Sequence, residues 1–91
     1  MQLKIQLFAS FREIFHGKEL VIDLKDGHKM RDLLDILCNK YHCRDLFFEN
    51  DQLKKYIVIL VNGHNILHLD GPDTELATGD TIAMFPPAGG G

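Results

Sequence analysis

The residues with the clearest chemistry stand at the end of the sequence, in "FPPAGGG", Phe85 to Gly91. Pro86 and Pro87 fix φ and favour an extended polyproline conformation, and each pushes the residue before it out of the helical region. At ~3.1 Å per residue, residues 86–91 reach roughly 18 Å when extended. Past Pro87 the one side chain is the methyl group of Ala88, and Gly89, Gly90 and Gly91 are bare backbone. With no Cβ in the way, the walls of another protein can close on such a segment from both sides. What the segment then presents is the α-carboxylate of Gly91, ionised at neutral pH with an ordinary pKa of about 3.5. The bland alternative is a frayed end, as many chains have. Against it, the glycines begin soon after an apolar strand pattern ends, and no polar tail residues intervene.

Other reactive side chains carry less. Cys38 and Cys43 flank His42, but a Cys-x4-Cys with one adjacent His is not a zinc-site spacing. Cys38 also falls on an apolar helical stripe, which predicts a packed thiol. His64 and His68 share a strand face in an extended reading but lie about 13 Å apart, too far to chelate one ion. No metal site is expected. Arg31 and Asp35 are spaced to pair across a helical turn, a solvated contact worth a few tenths of a kcal/mol. No set of nucleophile, base and orienting group is recognisable, so the chain is not expected to be catalytic alone.

The elements that must hold the tail follow from hydrophobic period. "QLKIQLF" alternates, with Leu3, Ile5 and Leu7 on one face and Phe8 on the other. "SFREIFHG" has Ser10 and Glu13 at capping-box spacing, predicting a helical turn stopped at Gly17. "ELVIDL" is a second alternating strand. From Met30 to Tyr41 the period changes to three and four, placing Met30, Leu33, Leu34, Leu37, Cys38 and Tyr41 on one helix face. Asp26 is the best-suited N-cap nearby, and Lys29 a poor one. Residues 42–55 show no period and read as a loop, with a helical turn around Leu46–Phe48. "YIVILV" reads as a buried strand, Asn62-Gly63 as a type I′ turn, and "NILHL" as the returning strand. After turns at Asp70-Gly71-Pro72 and Thr78-Gly79-Asp80, "TIAMF" is the last strand. One long helix across one face of a mixed sheet satisfies this order with a single core, an α+β fold.

Ninety-one residues make one domain, burying roughly 60–65% of the unfolded surface. A net charge of −3 gives no electrostatic reason to bind nucleic acid or an anionic membrane. "MQLKIQLF" lacks the apolar core of a signal peptide, no stretch is long enough to span a bilayer, and two cysteines fit as free thiols. A cytoplasmic protein is expected. Strand parity adds a docking surface: if Ile82 and Met84 face the helix, Phe8 and Phe85 lie on the outer sheet face. There they either form an exposed apolar patch, which Leu60 or Ile66 would join, or one ring is covered by residues 42–55. Arg12 is read as either a docking or a solvated side chain.

"AMFPPAGGG" resembles the C-terminus of the ubiquitin-like sulfur carriers, the MoaD/ThiS family, and most closely the MoaD type, the small subunit of molybdopterin synthase. "LFASFRE", "MRDLLDILCNKY", "VNG" and "GDTIAMFPP" fall in the family's order, so the likeness covers essentially the whole chain. Gly89 is a mild departure, since the family often has another small residue there. The resemblance implies a β-grasp domain over residues 1–85 and an extended tail of Pro86, Pro87, Ala88, Gly89, Gly90 and Gly91. It implies that an E1-like enzyme adenylates the Gly91 carboxylate with ATP, and that a sulfur donor of cysteine desulfurase or rhodanese type converts the adenylate to a thiocarboxylate. It further implies that the large synthase subunit accepts the tail, with sulfur passing to a pterin precursor, and that the carrier itself binds no cofactor. Two alternatives share the same glycine: a ubiquitin-like modifier joined to target-protein lysines, and a carrier for thiamin thiazole synthesis. The Phe-Pro-Pro element argues against the second. A third reading is an interaction module with an inert tail.

Overall fold

The computed structural model describes residues 1–25 and 27–87. Alternation in the sequence becomes alternation in burial. In β1 (Gln2–Leu7), Leu3, Ile5 and Leu7 are buried while Gln2 and Lys4 are exposed. β1 pairs antiparallel with β2 (Glu19–Asp23), from Gln2↔Asp23 to Gln6↔Glu19. On its other side it pairs in parallel with the last strand, β7 (Thr81–Phe85), in the register Lys4↔Thr81 to Leu7↔Met84. β7 in turn pairs antiparallel with β5 (Val58–Val61), which pairs with the two-residue β6 (His64–Asn65). The sheet order is therefore β2-β1-β7-β5-β6.

One helix covers this sheet. α2 (Met30–Tyr41) buries Met30, Leu33, Leu34, Leu37 and Cys38 in the same core as Leu3, Ile5, Leu7, Ile82 and Met84. Its first turn is held from inside. The carboxylate of Asp32 accepts the backbone N–H groups of Lys29 (3.0 Å) and His28 (3.1 Å), the return arm of a capping box. Asp26, the expected cap, lies outside the described residues. The mixed sheet with its first and last strands adjacent and one long helix on one face is the β-grasp arrangement.

The Asn62-Gly63 turn forms as its type requires, with φ of 50° and 86° at the two positions. The Asn62 side chain then ties the hairpin to the start of β7, donating to Asp80 Oδ1 (2.9 Å) and accepting from the Thr81 N–H (3.0 Å).

Four local expectations are corrected. Ser10 makes no side-chain cap, because its own φ and ψ are already helical; α1 (Phe11–Ile14) begins instead on backbone bonds from Phe11 N–H to Phe8 and from Arg12 N–H to Ala9. The left-handed residue that ends this turn is His16 (φ 60°), and Gly17 follows it, donating to the Arg12 carbonyl at 2.9 Å. Residues 42–55 hold the expected helical turn, two residues early as α3 (Arg44–Phe47), but then a hairpin of β3 (Phe48–Glu49) and β4 (Gln52–Leu53) in place of a loop, turned through positive φ at Asn50 and Asp51. The returning strand stops at Asn65, whose side chain accepts the Leu67 N–H (2.9 Å) and starts a 3-10 turn over Ile66–His68.

The pairing of Arg31 with Asp35 is also replaced. Arg31 reaches Asp73 at 2.7 Å and Asp35 reaches Arg44 at 2.9 Å, so both charges tie α2 to neighbouring segments. No helix among the described residues is long and apolar enough to cross a membrane.

Candidate docking face and tail

Parity decides which side chains surround the exit of the tail. Ile82 and Met84 of β7 are fully buried against the helix, so Thr81, Ala83 and Phe85 point to the opposite sheet face. Phe8 follows directly on β1 and donates its N–H to the Met84 carbonyl at 3.3 Å, which carries its ring to the same face. The Phe8 and Phe85 rings stack with centroids 4.2 Å apart and planes 11° from parallel. The pair is half-buried, each ring shielding the other.

The register of β5 extends this patch. Val58 lies opposite Phe85, and Leu60 opposite Ala83, because Ile57, Ile59 and Val61 take the inward positions. Tyr56 stands just before, 78% exposed. An open groove of about 840 Å³ is lined by Tyr56, Val58, Leu60, Phe85, Pro86 and Pro87. The expected patch of Phe8, Phe85 and Leu60 is thus brought together where the described chain ends. Ile66 is not part of it: the 3-10 turn directs it into the core, where it is 1% exposed. Tyr56 and Val58 were missed because a continuous apolar run hides its own parity, and only the buried Ile57, Ile59 and Val61 reveal it.

Arg12 borders the rings. Its Nε donates to the Leu7 carbonyl at 2.9 Å, which holds the guanidinium 5.6 Å from the Phe8 centroid. This is within cation–π range and leaves the terminal guanidinium nitrogens available to solvent or a partner. Pro86 and Pro87 are partly exposed, and Ala88, Gly89, Gly90 and Gly91 lie outside the described residues.

The thiols are poorly suited to nucleophilic work. Cys38 and Cys43 are both free and buried. Burial, reinforced by the neighbouring Cys43, pushes the Cys38 thiol up to about 12, and burial raises Cys43 as well. Both are therefore protonated at neutral pH, and a thiol attacks only as its thiolate. The face carries stacked rings, an exposed tyrosine and a bordering arginine, and tyrosine and arginine are enriched among the anchors of protein interfaces.

Comparison with known proteins agrees with this geometry. The ThiS family model matches residues 5–91. Small archaeal modifier protein 3 of Haloferax volcanii is 34% identical over 92 residues, covering 100% of both chains. The solution structure of small archaeal modifier protein 1 from Methanosarcina acetivorans superposes with a TM-score of 0.83 at 37% identity, covering 99% of this chain and 96% of that one. A Pyrococcus furiosus protein assigned as molybdopterin converting factor, subunit 1, superposes with a TM-score of 0.74 at 27% identity, covering 97% and 99%.

Proposed function

From the premise that the chain belongs to the ThiS family of ubiquitin-like sulfur carriers, we propose that it is a protein modifier whose Gly91 carboxylate is activated and joined to lysines of other proteins. The observation that carries this reading is the end-to-end likeness to a small archaeal modifier protein, 34% identical with no part of either chain left over. The chemistry is consistent with the residues present. A carboxylate is a poor acyl donor, so an E1-like enzyme spends ATP to make the acyl-adenylate. A lysine amine then attacks the carbonyl carbon, AMP leaves with the C–O bonding pair, and the amine loses a proton as the isopeptide bond forms. The general base and oxyanion stabilisation come from the enzymes, and the carrier supplies a slim acyl group and a face to hold. The stacked Phe8 and Phe85 rings with Leu60, Tyr56 and Val58 are that face, and Pro86 and Pro87 continue from it.

A second reading uses the same adenylate. A persulfide sulfur from a desulfurase- or rhodanese-type donor replaces AMP, and a second thiol then attacks the donor sulfur of the mixed acyl disulfide, forming a new disulfide with the donor cysteine and releasing the Gly91 thiocarboxylate. The likeness to a molybdopterin converting factor subunit favours delivery of this sulfur to a pterin through a large synthase subunit. The two roles are compatible in one protein. The test is to incubate the chain with the activating enzyme of its own organism, ATP, a sulfur source and an extract of that organism as the source of target proteins, then analyse intact products and products cleaved after Ala88 by an elastase-type protease by mass spectrometry. A glycine remnant on target lysines is expected, dependent on Gly91. Replacement of one oxygen by sulfur in the intact chain without any remnant would leave only the carrier role. Neither product would overturn both readings.

A further inference from the structure

A second groove, of about 680 Å³, lies away from the tail and shares no lining residue with the face around Phe85. It opens where the outer side of α2 meets the β3–β4 hairpin and the 3-10 turn after β6. Buried Ile57 and Ile66 form its floor, and Phe48, Leu53, Leu67 and Pro72 its apolar walls. Leu67 is 66% exposed on the rim, a large apolar side chain with no described neighbour to cover it. Volume and character fall in the range of ordinary binding sites, apolar walls with a few fixed polar groups.

The charges around this groove say what it takes. Arg31, Arg44, Lys54 and Lys55 all line it, four of the ten basic residues of a chain whose net charge is −3. Two carboxylates, Asp35 and Asp51, line the groove as well, and both arginines are paired: Arg31 with Asp73 at 2.7 Å, and Arg44 with Asp35 at 2.9 Å and Asp51 at 4.0 Å. Arg44 also lies over the Phe48 ring, 4.5 Å from its centroid. Lys54 and Lys55 make no ion pair among the described residues. Two adjacent lysines without a carboxylate partner among the described residues thus stand beside an apolar slot whose two arginines are already paired.

We propose that this groove is a docking site for an acidic, leucine-type peptide segment of a partner protein, with apolar side chains seated among Leu53, Leu67 and Pro72 and carboxylates on Lys54 and Lys55. Because the groove and the tail-exit face share no residue, a protein joined through Gly91 still presents it. The binding itself needs neither ATP nor an activating enzyme, so the proposal stands or falls apart from the tail chemistry.

The probe is a short capped peptide alternating leucine with glutamate, titrated into the isotopically labelled chain and followed by amide chemical shifts. Shifts are expected at Phe48, Leu53 and Leu67, with Phe8 and Phe85 unmoved, and affinity should fall as salt is added. Leu67→Asp, at an exposed position the core does not use, should weaken binding about tenfold, and Lys54→Glu with Lys55→Glu should do so comparably. The proposal is overturned if a peptide carrying lysine in place of glutamate binds equally well, if the shifts map to the Phe85 face, or if none occur at millimolar peptide. Self-association of the free chain through Leu67 would overturn it too, assigning the groove to a second copy.

Discussion

At the scale of single residues, the stacked rings separate two kinds of energy. A stacked aromatic pair adds ~0.5–1.5 kcal/mol beyond the area it buries. Phe8 and Phe85 sit outside the main core, so losing one half-buried ring costs the fold that term plus ~1 kcal/mol of buried area and leaves the main cluster intact. An aromatic anchor at the centre of an interface costs ~2 kcal/mol or more when truncated. Phe85→Ser is therefore expected to keep a cooperative unfolding transition at a lowered midpoint while weakening the complex between the folded chain and the activating enzyme some thirtyfold or more, a ~2 kcal/mol loss. Calorimetric titration below the transition, beside thermal unfolding, measures both; an unchanged affinity with a lowered midpoint would assign Phe85 to the fold alone. Both rings were legible from strand parity, since Leu3, Ile5 and Leu7 leave Phe8 only the other face. Tyr56 and Val58 were not, because every residue of "YIVILV" is apolar or aromatic and no alternation marks its inward side. Ile66 was misplaced for a related reason: the extended reading of "NILHL" had no way to anticipate that the Asn65 side chain would cap a helical turn.

At the scale of elements, the start of α2 shows how one carboxylate replaces a missing cap. Lys29 has no acceptor atom, so Asp32 takes the backbone donors of both Lys29 and His28. The Lys29 N–H holds the Asp32 carboxyl below its ordinary 3.8; burial opposes this, and the His28 N–H assists it. The folded chain therefore binds ionised Asp32 more tightly than the unfolded chain does. That contribution is complete above the ordinary carboxylate range and is lost as pH falls through the lowered value. Gly27 keeps the arrangement possible. Its φ is +88°, and a Cβ there would meet the Asp32 carboxyl carbon and Oδ2 at about 2.4 Å. Gly27→Ala should cost ~1–3 kcal/mol, combining left-handed strain with displacement of the cap. Asp32→Ala should cost ~1 kcal/mol at neutral pH, and its deficit should shrink in acid well below 3.8. Denaturant titrations at the two pH values check this, and a deficit constant with pH would mean the carboxylate is not the cap. Long alternating strands, the 3.6-period helix and the Asn62-Gly63 turn were all readable in advance because each repeats a signal over several residues or fixes two φ angles. The β3–β4 hairpin was not, since two-residue strands are too short to show any period.

For the whole molecule, the proposed function puts folding and chemistry in different parts of the chain. The buried cluster runs from Leu3 to Met84, and the last described strand ends at Phe85. The parallel pairing of β1 with β7 sets the first and last strands side by side inside the sheet, so the chain leaves it from a strand paired on both sides. Rigid support beneath Phe85 fixes where the tail begins, and Pro86 and Pro87 limit the directions it takes. Removing Gly90 and Gly91 should therefore leave the denaturation midpoint of the chain unchanged, because no core residue is touched. The shortened chain should still occupy the activating enzyme through Phe8, Phe85 and their neighbours, yet accept neither AMP nor sulfur. It then acts as a competitor. Added in excess to a reaction with the full chain, it should slow adenylation in proportion to its occupancy of the enzyme, raising the apparent KM of the full chain while kcat holds. The same truncation carrying Phe85→Ser should lose this inhibition, and carrying Leu67→Asp it should keep it. A truncated chain that fails to compete, despite an intact unfolding transition, would mean that the enzyme grips the glycines and not the sheet, and would move the docking site from the face to the tail.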